Sequence, residues 1–316
     1  MSDLQAPWLL LDVGTTSLRA YVTVAGQVQA TISAPEGVAL TTREGRGAFC
    51  NAVRKRCEEV LAQAGVSWQD LGSAAACGMI TSGLGLLEIP HIPTPAGLAE
   101  LALAMQASDA LPIPLWLCPG VRNDAVADYD LRSYDFMRGE EAQALGLDRQ
   151  NGLFVSTGSH MKFVWLADGR IERCRTTMGG EMLAALTSHT ILADSCGFVR
   201  TLCPKWVLWG MQASLDRGIT AAAFDVRKLD VLAKGDAEER ANYLAGAVMA
   251  QDILAVRGDG VGEAIVTGGM MAEVFRLVWE AMGCERAAIL PQGEAEQLAV
   301  TGLWRVVAYR AQHIGL

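Results

Sequence analysis

The stretch Leu9-Leu10-Leu11-Asp12-Val13-Gly14-Thr15-Thr16-Ser17-Leu18-Arg19-Ala20-Tyr21-Val22 decides the fold. Its apolar run and its later alternation of Leu18, Ala20 and Val22 predict a strand, a tight turn and a second strand. Gly14 lets the backbone pass close to a ligand. Successive amides of a Gly-Thr-Thr-Ser turn can point at anionic oxygens, as backbone phosphate nests do. Asp12 ends the first strand, where a carboxylate can hold Mg2+ bridging phosphates, directly or through water. An ordinary hairpin with a polar turn has the same local composition, so the weight must come from elsewhere in the chain.

It comes from an echo half a chain away. Gly152-Leu153-Phe154-Val155-Ser156-Thr157-Gly158-Ser159-His160-Met161-Lys162-Phe163-Val164-Trp165-Leu166 repeats strand, hydroxyl-rich glycine turn and strand. Lys162 stands near the place of Arg19, with one residue fewer between it and the glycine. Each copy continues into a third strand, at residues 26–32 and, after the tight turn Asp168-Gly169, at 170–174. Such internal duplication makes both turns candidate phosphate nests.

Alternating elements follow each meander, an α/β pattern. A helix is predicted over 46–64, with Phe49, Val53, Cys57, Val60 and Leu61 inward and Gly65 as its stop. A small-residue strand over 73–80 runs into Thr81-Ser82-Gly83. A helix over 98–107, a short strand near 115–120 and a polar loop at 121–134 come next. In Asp135-Phe136-Met137-Arg138-Gly139-Glu140-Glu141, two adjacent acids open a short helix that ends at Gly146. A solvated first turn, where acids favour the helix dipole, is the plain alternative for that pair. In the second half, Met178-Gly179-Gly180-Glu181 opens a helix on or near which His189 sits as a packed or surface histidine. Residues 200–256 are mostly helical. Residues 264–271 predict a strand, a Gly268-Gly269 turn and a helix, a geometry that brings backbone close to a flat ligand such as a purine. A last helix over 294–312 turns Leu298, Gly302, Val306 and Val307 inward.

The 316 residues, 51% hydrophobic with 33 glycines, fit a compact two-domain α/β enzyme. The net charge of −9, without a basic tract, argues against nucleic-acid and membrane-surface partners. The start shows no signal-peptide pattern and no apolar run reaches membrane-spanning length, so a cytoplasmic protein is expected. Eight scattered cysteines without a Cys-x-x-Cys pair suggest buried, reduced thiols. Four histidines without ligand spacing argue against zinc.

These residues resemble the actin/hexokinase/sugar-kinase superfold and, within it, the 2-dehydro-3-deoxygalactonokinases. The likeness is carried by residues 11–20, Gly78-Met79-Ile80-Thr81-Ser82, Pro95-Ala96-Gly97, Phe136 to Gln143, Gly158 to Val164, Thr176 to Met182 and Tyr243-Leu244-Ala245-Gly246, in order over residues 8 to about 305. Val13, Met178-Gly179-Gly180-Glu181 and the loop at 121–134 depart from the family's pattern. The resemblance implies two duplicated RNase H-like α/β domains with an ATP cleft between them. Residues 1–150 would form the sugar-acid side and 151–316 the adenine side, the last helix returning to the first domain. It implies ATP- and Mg2+-dependent phosphorylation of the terminal hydroxyl of 2-dehydro-3-deoxygalactonate. Asp12 would place Mg2+. Gly14, Thr15, Thr16, Gly158, Ser159 and His160 would line the phosphates, and Arg19 or Lys162 would stabilise transferred charge. Glu140, then Glu141, then Asp135 are the candidate bases, and Arg138 the partner of the substrate carboxylate. Met79, Thr81, Ser82, Pro95, Ala96, Gly97 and Glu181 would meet the sugar acid, and Gly268 and Gly269 the adenosine. A homodimer stays open. So do a kinase for another sugar acid or sugar and a non-catalytic ATP sensor, although a sensor has no need of the acids at 140 and 141.

Overall fold

A computed structural model describes residues 4–123, 131, 133–259 and 262–316; positions 124–130 and 132 of the expected polar loop lie outside the described residues. The chain divides into two units: Met1–Asn151, Leu166–Cys174 and Glu296–Leu316 form the first, and Gly152–Trp165 and Arg175–Ala295 the second. The backbone therefore passes between units more than once rather than dividing at a single point.

In the first unit, β1 (Pro7–Val13), β2 (Leu18–Val24) and β3 (Gln27–Ala34) form the antiparallel meander. After α1 (Ala39–Glu44) and α2 (Arg46–Ala64), β4 (Ser73–Gly78) pairs parallel to β1. β5 (Ile92–Pro93) precedes α3 (Leu98–Ala104), β6 (Gln106–Ser108) and β7 (Leu115–Leu117). The main sheet runs β3-β2-β1-β4-β7-β6. Leu9, Leu11 and Val13 of β1 share a core with Phe49, Val53 and Cys57 of α2, the spacing that the helical period set out. The helix expected over 98–107 stops early: Met105 is extended, and residues 106–108 pair with β7 as an edge strand. A small sheet of β5, β8 (Val121–Arg122) and β9 (Phe136–Met137) leads into α4 (Glu140–Gly146).

In the second unit, β10 (Gly152–Thr157), β11 (Met161–Ala167), β12 (Arg170–Thr177), β13 (Ala264–Thr267) and β14 (Ala287–Ile289) form a sheet ordered β12-β11-β10-β13-β14. α5 (Gly179–His189), α6 (Pro204–Arg217), α7 (Ile219–Val231) and α8 (Ala237–Leu254) fill the long connection, and α9 (Met270–Ala281) follows β13. His189 ends α5 and is exposed. The small residues around Gly246 let α8 and α6 touch backbone to backbone: a Cβ there would meet the Val207 carbonyl at 2.0 Å.

The final helix, α10 (Gln292–His313), lies against α4 in the first unit, where a Cβ on Gly302 would meet the Ala142 carbonyl at 1.8 Å. Leu298, Val306 and Val307 are buried beside it. Trp304 meets Trp8 edge-on at 5.2 Å. α4 is thus held by packing as well as by its own seven residues. Among the described residues, which include all eight cysteines, no disulfide forms; Cys50, Cys203 and Cys284 are partly exposed rather than buried. Among the described residues no helix is long and apolar enough to cross a membrane.

Candidate active site

At the C-terminal end of β1, the register sets Asp12 opposite Arg19, and Arg19 Nη1 meets Asp12 Oδ2 at 3.2 Å. Burial raises the Asp12 pKa above the usual carboxylate range, against the pull of Arg19. The turn that follows is held from below. The Gly14 amide donates to the Ser17 carbonyl at 2.8 Å, so it serves the turn itself. Val38 and Ala39 donate to the carbonyls of Gly14 and Thr15 at 3.1 and 2.9 Å. Gly37 lies flat on the turn: a Cβ there would sit 2.4 Å from the Gly14 carbonyl oxygen. Thr15 and Thr16 remain exposed. Gly37 was not singled out in the sequence, and only its place just before α1 marks it.

The acid pair approaches the same strand end. Val13 pairs with Gly78 at the end of β4, and the Cβ position of Gly139 lies 3.4 Å from Gly78 Cα. Asp12, Glu140 and Glu141 all act on the buried Cys77 thiol, whose pKa burial and these carboxylates push well above its usual range. The fields of all three carboxylates thus reach Cys77, one residue before the end of β4. Glu141 is 0% exposed, and both of its oxygens accept from the Gly139 amide, at 2.9 and 2.7 Å. Burial and then the neighbouring Glu140 push its pKa up to about 8. Glu140 is only half-buried. Asp135 lies farther back, its Oδ1 accepting from the Phe136 amide at 2.7 Å.

Arg138 is engaged within the first unit. Its Nη1 donates to the Thr81 carbonyl at 2.7 Å and also to the Thr81 hydroxyl, and its Nη2 donates to the Ile89 carbonyl at 2.9 Å. His91 Nδ1 lies 3.4 Å from Nη2. Arg138 thus ties the start of α4 to the segment after β4 through its two terminal nitrogens. Thr81 is buried inside this strut, while Met79 and Ser82 are half-buried. Pro95, Ala96 and Gly97 serve another junction. Pro95 O accepts from Arg170 Nη2 at 2.7 Å, Ala96 pairs with Ile171, and the Gly97 amide donates to Glu100 at 2.8 Å.

The second unit rebuilds the turn. Gly180 lies against it, with a Cβ position 2.3 Å from the Gly158 carbonyl, and the Glu181 amide donates to the Ser159 carbonyl at 2.7 Å. Glu181 also faces His160, with Oε2 2.7 Å from Nε2. Glu181 is thus tied to the turn through its own amide and through His160. Lys162 is buried and donates to Thr176 Oγ1 at 2.9 Å. Gly268, with φ +125°, lies on Thr157 at the neighbouring strand end; Gly269 opens α9. A pocket of about 380 Å³ opens between this turn, α5, α8 and the first turn of α9. Asp252 of α8 lines it, a residue hidden in the sequence inside a run of small packing residues.

The 2-keto-3-deoxy-galactonokinase family model matches residues 12–306. This chain belongs to the 2-keto-3-deoxy-galactonokinase family. It is 31% identical to the protein of Rhizobium meliloti strain 1021 named as a probable 2-dehydro-3-deoxygalactonokinase, over 72% of this chain and 75% of that one. The 2-dehydro-3-deoxygalactonokinase of Escherichia coli K12 is 24% identical over 90% of this chain and 93% of its own. A crystal structure of a Sinorhizobium meliloti protein assigned to the same kinase superposes with a TM-score of 0.78 at 26% identity, covering 97% of this chain and 99% of that one. Members of the family are phosphotransferases, and the two units have the duplicated α/β build of actin- and hexokinase-type ATPases.

Proposed function

We propose that the chain transfers the γ-phosphoryl group of ATP to the terminal hydroxyl of 2-dehydro-3-deoxygalactonate, giving the 6-phosphate and ADP, as a cytoplasmic enzyme of galactonate breakdown. The observation that supports this best is the acid pair on the first turn of α4, whose preceding Gly139 packs on Gly78 at the end of β4. Phosphoryl transfer needs positioning and charge neutralisation, plus a carboxylate to orient and deprotonate the acceptor hydroxyl. Glu140 is the base in this reading, because it is half-buried where Glu141 is sealed. Glu141, sealed on the Gly139 amide, fixes the helix start from which Glu140 projects. Arg138 holds the same start against Thr81 and Ile89.

Asp12 is a hard oxygen donor suited to Mg2+. Among the described residues no three His, Cys, Asp or Glu side chains gather, so nucleotide oxygens and water would complete the shell. When bound, the ion supplies charge neutralisation across the phosphates. Each turn carries residues suited to phosphate oxygens in this reading: Thr15 and Thr16 in the first, Gly158, Ser159 and His160 in the second. Gly268, Gly269 and the pocket beside them take the adenosine. Met79 and Ser82, next to the Arg138 strut, border the sugar acid.

An ATP-coupled assay against a panel of 2-keto-3-deoxy sugar acids epimeric at C4 tests this. Turnover of the galactonate derivative above its epimer is expected. Turnover of none of them refutes the sugar-acid kinase reading.

A further inference from the structure

α4 carries the acid pair on its first turn, yet little in its own sequence makes it a firm platform. Seven residues are too few for a helix to hold itself in water. Gly146 in its last turn costs backbone entropy, and no basic residue there meets the partial negative charge of the carbonyl end. α10 offsets both weaknesses, through contacts that lie wholly in the first unit. Two glycines let the backbones touch. A Cβ on Gly146 would meet the Leu298 carbonyl at 2.2 Å, and one on Gly302 would meet the Ala142 carbonyl at 1.8 Å. About one turn further along α10, Arg305 reaches the carbonyl end itself. Its Nη1 donates to the Leu145 carbonyl at 2.6 Å, where the Asp148 amide reaches the same oxygen only at 3.4 Å. Its Nη2 lies 2.6 Å from Asp148 Oδ1. The Asp148 side chain is 75% exposed, so that ion pair contributes little by itself, and the carbonyl bond is the stronger tie. At the other end of α4, Gly139 packs on Gly78 and Arg138 bonds to Thr81 and Ile89. A helix of this length is about 10 Å long, so a tilt at Leu145 is carried straight to Glu140.

We propose that Arg305 is a positioning residue for phosphoryl transfer: by binding the carbonyl end of α4 it sets the orientation of Glu140 at the other end, with the contact of Gly146 and Gly302 as the pivot. This rests on the reading of Glu140 as the base. Arg305 acts through the helix and not on the substrate. The planar guanidinium suits the task, because its fork holds the carbonyl and the Asp148 carboxylate at once, which a compact ammonium does less well.

Steady-state kinetics of the full chain with ATP and 2-dehydro-3-deoxygalactonate, on Arg305→Met, Glu140→Gln and the two combined, test the assignment. Arg305→Met alone should lower kcat by roughly 10- to 100-fold, as a small misplacement of a catalytic group does, with KM for ATP unchanged. In the Glu140→Gln background the same substitution should add almost nothing, because no base is left to misplace and groups that act as a unit are not additive. Arg305→Lys, which keeps the charge and a donor, should recover part of kcat. A folding defect would instead lower the active fraction by the same factor in both backgrounds. Equal losses in the two backgrounds, or an unchanged kcat in Arg305→Met, overturn the positioning role and leave Glu140 as the base. Full activity in Glu140→Gln overturns the base reading and the proposal with it.

Discussion

The turns after β1 and β10 are two copies of one device, and they differ in the charge they carry. Asp12 and Ser156 are each the next-to-last residue of their strand, and Arg19 and Lys162 each the second residue of the next. The one-residue difference in spacing therefore lies wholly in the turns. The parallel partners match too. Val13 pairs with Gly78 and Ser156 with Thr267, so that Gly78 and Gly268, at φ +85° and +125°, sit at equivalent strand ends. Each turn rests on a glycine at the start of the helix after the third strand, Gly37 or Gly180. What is not shared is charge. The first copy has a carboxylate where the second has Ser156. Its arginine is 42% exposed on the side chain, where Lys162 is buried against Thr176. The glycine-braced turn is common to both units, and the carboxylate at the strand end belongs to the first.

If the chemistry resides in the first unit, the largest effect should come from Glu140→Gln. Steady-state kinetics should show kcat lower by roughly 10²–10⁴, the range for losing a general base, with KM for ATP little changed. A larger loss in Glu141→Gln would transfer the role of base to the sealed carboxylate.

The shared part of the device is tested by Gly37→Ala and Gly180→Ala. Each places a methyl against backbone that has no room to yield, which typically costs about 1–3 kcal/mol. Both variants should melt lower, and both should raise KM for ATP by about tenfold if displacement of the turn displaces the phosphates. An effect on KM in only one of them would end the equivalence of the two turns.

Much of this was legible before any coordinates. Strand periodicity and the repeated Gly-hydroxyl turn marked both meanders, and α2 spans Arg46–Ala64 as its apolar spacing indicated. Local signals failed where long-range packing decides. Residues 106–108 join a sheet edge through a partner that sequence periodicity cannot see. Leu166–Cys174 pack with the first unit although they lie past the middle of the chain. In the site, residue types were readable but commitments were not. Arg138 stood out as a cation near two acids, but its bonds to the carbonyls of Thr81 and Ile89, which are far away in sequence, come only with the fold. Asp252 could not be separated from its small neighbours, because only the fold turns it towards a pocket.

A smaller effect comes from the pH response of Glu141. Its folded pKa of about 8 lies above its ordinary value, so between pH 4.5 and about 8 the native state binds more protons than the unfolded chain. Stability from this group is present below that window and is lost as pH rises through it. Glu141→Gln removes the titration. Thermal melts should therefore show the parent protein losing ground to this variant from pH 5 to pH 8, by on the order of a few °C. A constant difference across that range would mean that the carboxyl is not held protonated beside Gly139.

The smallest effect belongs to a control glycine. Gly47, near the start of α2 and ten residues beyond Gly37, has nothing within 4 Å of its Cβ position. In a helix, alanine costs less backbone entropy than glycine. Gly47→Ala should therefore raise the melting temperature slightly, equivalent to about 0.5 kcal/mol, and leave KM for ATP unchanged. The opposite signs expected for Gly37→Ala and Gly47→Ala separate contact with the turn from a general sensitivity of the region to added methyl groups. Were both to weaken ATP binding alike, the Gly14 turn would lose its special standing as a backbone cradle.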